Sequence, residues 1–315
     1  MATNGPKAWT TSMDMDGLWE AAQRFWRKSY AGDYVGLVIL LVAYLLIQFL
    51  GEPFHQRFRL DDPRIQFPHA EVERVSVFWL FIYAAVIPAG ILVIWTVVFK
   101  PSIHKAHVTG LGLAISIILS CFVTDVLKDA VGRPRPDFLA RCEPKITASP
   151  EDLVTIDVCT ASGHVLQDGW RSFPSGHSSF SFAGLGYLAM FFASQTHALR
   201  PRTSLLVVLF CVAPLLAAAL IAISRLEDYR HDHADVICGS LLGFLVAYFN
   251  WRRYYPSLLS KGCDAPYELV TSGGTSPSGI GFQRVRDEEE GFEAMDDGHF
   301  SLGDEMERYG REDGR

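Results

Sequence analysis

The chain is 315 residues long and 49% hydrophobic, with a mean hydropathy of +0.17. Its apolar residues come in long runs rather than at regular intervals, which argues against an ordinary soluble domain and for a membrane class. The net charge is −7, but Asp287–Arg315 alone holds 12 acidic and 3 basic residues. That tail carries −9 and leaves +2 for the rest, so the overall acidity says nothing about a substrate.

In chain order, residues 1–33 are polar and contain no cleavable signal peptide, so the first apolar run is expected to act as the targeting signal. Within them Leu18, Trp19, Ala22, Phe25 and Trp26 share one helical face beside Arg24, Arg27 and Lys28. That pattern suits a helix lying on a membrane surface as well as an amphipathic helix packed on a bundle.

Six apolar runs follow: Tyr34–Leu50, Val75–Phe99, Val108–Leu127, Ser178–Ala193, Ser204–Ile223 and Ala234–Trp251. Each is long enough, or nearly so, to cross about 30 Å of hydrocarbon as a helix of roughly 17–25 residues. A bilayer offers the backbone no water, so helices are expected. The fold predicted is all-α, a six-span transmembrane bundle over 34–256. Residues 257–315, rich in Gly, Ser and Thr and then acidic, are expected to form a disordered tail.

An even number of spans puts both termini on one side. Lysine and arginine are nearly balanced between the two sets of loops, and discounting the residues suited to catalysis tips the count weakly toward cytoplasmic termini. The expected product is an integral multi-pass protein of vacuole, Golgi or endoplasmic reticulum, with its site on the lumenal or extracellular face.

Three polar clusters sit where apolar runs begin or end. Lys128 to Pro136 (KDAVGRPRP) follows the third run, Pro174-Ser175-Gly176-His177 precedes the fourth, and Ser224-Arg225, His231 and Asp235 lie between the fifth and sixth. All these ends fall on one membrane face, so topology allows one pocket. The residue types suit phosphoryl transfer. Lys128, Arg135 and Arg225 would neutralise a phosphate, with arginine offering a planar fork. Ser175 and Gly176 open a helix, where free N–H groups favour an anion. His231 would attack phosphorus, with Asp235, four residues on, holding its other nitrogen protonated. His177 would protonate the leaving oxygen and later activate water. No metal-ligand pattern is present, and the scheme calls for no cofactor.

These clusters resemble the signature of the type 2 phosphatidic acid phosphatase (lipid phosphate phosphatase) superfamily: Lys-x6-Arg-Pro, Pro-Ser-Gly-His and Ser-Arg-x5-His-x3-Asp. All eleven defined positions are present in order. Gly132–Cys142, Phe58–Pro68 and Glu227–His231 look most like the fungal diacylglycerol pyrophosphate phosphatases. The resemblance covers about 34–251. It implies a metal-independent phosphohistidine mechanism, with Lys128, Arg135, Ser175, Gly176 and Arg225 binding phosphate, His177 as acid and base, His231 as nucleophile and Asp235 as its partner. It also implies a non-cytoplasmic site.

The expected partners are the bilayer and a phosphorylated membrane lipid (phosphatidate, lysophosphatidate or diacylglycerol pyrophosphate), with no nucleic acid. A polyprenyl pyrophosphate phosphatase is the alternative within the enzymes, separable by parallel assays on both lipid classes. A non-catalytic binder of lipid phosphate is the alternative outside them, disfavoured because no motif position is lost.

Five further residues have plainer readings. Arg133 fits a headgroup or loop contact better than a fourth phosphate ligand. Ser224 fits a structural hydroxyl, and Asp125, within a span, is expected to pair with a neighbour. Cys142 and Cys159 share the loop before the fourth run and could close a disulfide if that loop is lumenal.

Overall fold

The computed structural model describes residues 19, 30–146 and 149–267. The N-terminal amphipathic segment, apart from Trp19, and the tail from 268 onward lie outside the described residues.

The described residues are helical, with two isolated bridges and no strand. The first apolar run is α1 (Ala31–Leu50). The second is α2 (Val77–Phe81), one π-turn (Ile82–Val86) and α3 (Ile87–Phe99) in continuous succession. Next come α4 (Ile103–Val131), the short α5 (Phe138–Cys142) and α6 (His164–Asp168), then α7 (Gly176–Gln195), α8 (Leu205–Glu227) and α9 (His233–Tyr254). Five of these stretches are long and apolar enough to cross a membrane: Ala31–Leu50, Val77–Phe99, Ile103–Val131, Leu205–Glu227 and His233–Tyr254. This is the build of a multi-pass membrane protein.

α7, at the expected fourth span, is not among the five. It spends its length on Ser178, Ser179, Ser181, Gly184 and Gly186, and it is the most enclosed of the long helices. It packs against α4, α8 and α9. A helix surrounded by protein needs small residues for close approach rather than an apolar surface for lipid. α1 is the opposite case, with no buried residue and with Val38, Ile39, Leu46 and Phe49 outward.

The helix ends explain where chemistry gathers. α4 runs one turn past its apolar stretch, so Lys128 stays helical. It stops at Gly132, whose φ of +59° is left-handed and whose missing Cβ would lie 1.6 Å from the Phe54 carbonyl. Ser175 caps α7, its Oγ accepting from the Ser178 N–H. Asp232 and Asp235 close a reciprocal capping box at the start of α9.

The loops on this face have their own small core. Phe58, Ile65, Phe138, Cys142, Leu166 and Trp170 pack together, with Phe138 and Trp170 ring centroids 4.5 Å apart. Phe58 and Val154 exchange backbone hydrogen bonds, tying loop 51–76 to loop 132–175. Cys142 and Cys159 are joined in a disulfide within that layer.

The opposite face corrects one boundary. Residues 257–267 were expected to begin a disordered tail, yet they pack on the bundle. Cys263 is fully buried, the Ser194 hydroxyl donates to its carbonyl at 2.7 Å, and the Tyr267 N–H donates to Tyr254 at 2.9 Å. Composition missed this because the anchors, Leu258, Cys263 and Tyr267, are single residues in a polar stretch.

Candidate active site

The three sequence clusters meet where the loop core rests on the ends of α4, α7, α8 and α9. His231 lies in the turn between α8 and α9 and is 4% exposed. Its Nδ1 is 2.7 Å from the Ser172 carbonyl oxygen. A carbonyl can only accept, so Nδ1 carries the proton and Nε2 keeps its lone pair. The expected direct bond to Asp235 is therefore replaced: Asp235 Oδ2 stands 3.8 Å from Nδ1. The carboxylate acts one step back. It accepts from the Ser172 hydroxyl at 2.6 Å and from the Asp232 N–H at 3.0 Å. The Ser175 N–H in turn bonds the Asp235 carbonyl at 2.9 Å.

Arg133 completes this arrangement. Its guanidinium reaches Asp235 Oδ1 at 2.8 Å and Asp232 Oδ2 at 2.7 Å. The plain reading of a loop or headgroup contact is thus corrected: Arg133 is an ion-pair partner of the two carboxylates at the start of α9. Only its place, one residue before Pro134, hinted at the site.

Arg135 is buried and clamped to Asp168, donating to the backbone oxygen and to Oδ1, both at 2.8 Å. Burial by itself would raise the Asp168 carboxyl, but Arg135 and Arg141 hold it well below the usual carboxylate range. Lys128 Nζ is 3.4 Å from Asp125, which also meets Arg171 at 3.3 Å and Gln48. The pairing expected of Asp125 is present. A Cβ on Gly176 would lie 2.9 Å from Lys128 Nζ, so glycine lets α7 and the lysine approach.

His177 opens α7 and donates Nε2–H to the Val75 carbonyl at 3.0 Å. Arg225, 1% exposed, donates to Asp228 at 2.7 Å, to the Ser224 hydroxyl at 3.1 Å and to Glu73 at 2.9 Å. The Ser224 hydroxyl itself donates to Ile221, as a structural hydroxyl would. Glu73 and Val75 come from the loop before α2, which carried no motif.

Electrostatics tie the set together. Burial pushes the His231 imidazole down to about 4; the Arg135 and Lys128 charges add to this, while Asp235 opposes it. Thus Lys128, Arg135, Ser175, Gly176, His177, Arg225, His231 and Asp235 are all brought to one place. An apolar cleft of about 470 Å³ between α3 and α4, lined by Leu92, Val93 and Ile117 among others, contains none of them. No group of His, Cys, Asp and Glu able to hold a metal occurs among the described residues.

Residues 109–257 match the PAP2 superfamily. A Schizosaccharomyces pombe protein named probable diacylglycerol pyrophosphate phosphatase 1 is 38% identical over 261 residues, 80% of this chain and 90% of its own length. The chain belongs to the PAP2 superfamily. Diacylglycerol pyrophosphate phosphatase 1 of Saccharomyces cerevisiae is 39% identical over 260 residues, again 80% and 90% of the two chains. Lipid phosphate phosphatase 2 of Arabidopsis thaliana is 33% identical over 225 residues, 71% of this chain and 77% of the relative. No solved structure matches.

Proposed function

We propose that this PAP2-superfamily enzyme is a metal-independent lipid phosphate phosphatase acting on phosphatidate, lysophosphatidate and diacylglycerol pyrophosphate through a phosphohistidine. One observation carries the reading: a buried imidazole with Nδ1–H fixed on Ser172 and Nε2 free, among three motif cations and a second histidine. The names of the relatives point to diacylglycerol pyrophosphate and to lipid phosphates in general; phosphatidate and lysophosphatidate follow from the family resemblance of the motifs.

His231 Nε2 attacks phosphorus and forms a P–N bond. The P–O bond to the leaving group breaks, its electron pair stays on oxygen, and His177, protonated once the anionic phosphate is bound beside it, supplies the proton. Lys128, Arg135, Arg225 and the helix start at Ser175 and Gly176 stabilise the charge on the transferring group. His177, now neutral, takes a proton from water as the water oxygen attacks phosphorus. The P–N bond breaks, phosphate departs, and His231 regains its lone pair.

The reading includes α7 as a sixth span, which puts the ends of α4, α7, α8 and α9 on one side and both termini on the other. A disulfide on the site's face supports a lumenal or extracellular position, because cytosolic thiols stay reduced.

The test is phosphate release from a panel of lipid phosphates by the full-length protein in detergent micelles, with and without EDTA. A ³²P-labelled terminal phosphate should label the wild-type protein transiently with an acid-labile, base-stable linkage. His231→Ala should abolish both turnover and label. Turnover in that variant, or loss of activity with EDTA, would refute the mechanism.

A further inference from the structure

Arg230 belongs to none of the three motifs. It occupies one of the five unspecified positions between Arg225 and His231. Its guanidinium nevertheless points into the site. Nη2 lies 3.2 Å from Glu73 Oε1, while the other oxygen of that carboxylate lies 2.9 Å from Arg225 Nη1 and 3.8 Å from His177 Nε2. One carboxylate therefore bridges a motif arginine and Arg230 directly in front of His177.

The rest of Arg230 is only partly satisfied. Nη2 also donates to the Ala70 carbonyl at 2.9 Å, and Nη1 is 3.9 Å from Asp137. Nε is buried without a hydrogen-bond partner. A buried charged donor left unpaired is costly, and a site that keeps one commonly offers it to a ligand.

We propose that Glu73 marks a second anion subsite on the leaving-group side, and that Arg230 there holds the inner phosphate of a pyrophosphate substrate. This deepens the phosphatase reading and rests on it. His177 protonates the leaving oxygen, so whatever follows that oxygen in the substrate lies on the His177 side of the reacting phosphorus. In a monoester that is a carbon chain, which has no use for a cation. In a pyrophosphate it is a second phosphate, which becomes more negative as the bridging P–O bond breaks. A guanidinium there favours the pyrophosphate in the transition state. Glu73 must yield the position when substrate enters, so its carboxylate competes with the inner phosphate.

The experiment uses full-length wild type, Arg230→Gln, Arg230→Lys and Glu73→Gln in mixed micelles. Diacylglycerol pyrophosphate and phosphatidate are the substrates; inorganic pyrophosphate and inorganic phosphate are the inhibitors. Arg230→Gln should lower kcat/KM for the pyrophosphate lipid by about 10- to 100-fold, the size of one or two charge-assisted hydrogen bonds, and change phosphatidate by less than about threefold. Its inhibition constant for pyrophosphate should rise by about tenfold while that for phosphate holds. Arg230→Lys should fall between. Glu73→Gln should tighten pyrophosphate inhibition, which keeps the idea testable if the arginine variants fold poorly.

Equal losses on both lipids, or no tightening in Glu73→Gln, overturn the subsite. Failure of the wild type to hydrolyse either lipid would instead overturn the phosphatase reading. Binding of inorganic pyrophosphate and phosphate to wild type and Arg230→Gln, read directly by calorimetry, would still report on Arg230 by itself.

Discussion

Arg133→Gln tests how His231, the proposed nucleophile, is held. The substitution removes two charged hydrogen bonds, 2.8 Å to Asp235 and 2.7 Å to Asp232, and leaves Asp235 fully buried. Breaking a fully buried ion pair costs about 3–5 kcal/mol, an exposed one about 0–1. The Arg133 side chain is 29% exposed, and Asp235 keeps the Ser172 hydroxyl and the Asp232 N–H. The loss should therefore be about 2 kcal/mol, a fall in Tm of roughly 5 °C in detergent.

The charge change also has a sign. With Arg133 gone, the Asp235 carboxylate is less neutralised and attracts a proton to His231 more strongly. The His231 imidazole rises from about 4 toward its ordinary value. The acid limb of kcat/KM should move up by about one pH unit, and activity at neutral pH should fall by about tenfold through looser orientation. Arg133→Lys should restore the charge but not the two-pronged fit. If Arg133 instead grips substrate, KM will rise with the acid limb in place. That result would refute the reasoning.

In the wild type, the low value for His231 means that this proposed nucleophile stays neutral well below pH 6.5, so the acid limb of kcat/KM should lie nearer 4 than 6.5. The unfolded chain binds a proton at this residue that the folded chain refuses. This contribution to stability is therefore present above pH 6.5 and lost as pH falls toward 4, visible as a falling Tm across that window. His177→Asn should cost roughly 10²–10⁴-fold in kcat on phosphatidate, whose alkoxide leaving group needs a proton. The cost should be smaller on the pyrophosphate lipid, whose phosphate leaving group titrates near 6; equal costs would remove His177 as the acid. Cys142→Ser should destabilise by about 3 kcal/mol, the expected effect of a disulfide closing a loop of this length, and reductant should do the same to the wild type. Unchanged Tm in both would show that the clip is idle.

Much of the site was legible because chemistry fixes residue types at chain-local spacings. Lys128 and Arg135, Ser175 through His177, and Arg225, His231 and Asp235 are recognisable wherever they stand, and each abuts an apolar run that sets which end of the bundle it occupies. The membrane class was legible for a similar reason: hydrocarbon imposes length and apolarity residue by residue, as in α1 and α8.

What escaped depends on neighbours distant in sequence. Ser172 holds His231 through a backbone carbonyl, which no side-chain pattern can announce. Asp168 and Glu73 are ordinary loop carboxylates until folding sets them against Arg135 and Arg225, 33 and 152 residues away. Cys263 looks like part of a tail until Ser194 meets it. By itself the sequence marked the five helices long and apolar enough to cross a membrane, though not that the fourth run would be enclosed by protein, and it marked the residue types suited to phosphate. Only the tertiary structure decided which groups hold His231 and which loop packs against His177 and Arg225, because hydrogen bonds and ion pairs act over a few ångströms in space, whatever the separation along the chain.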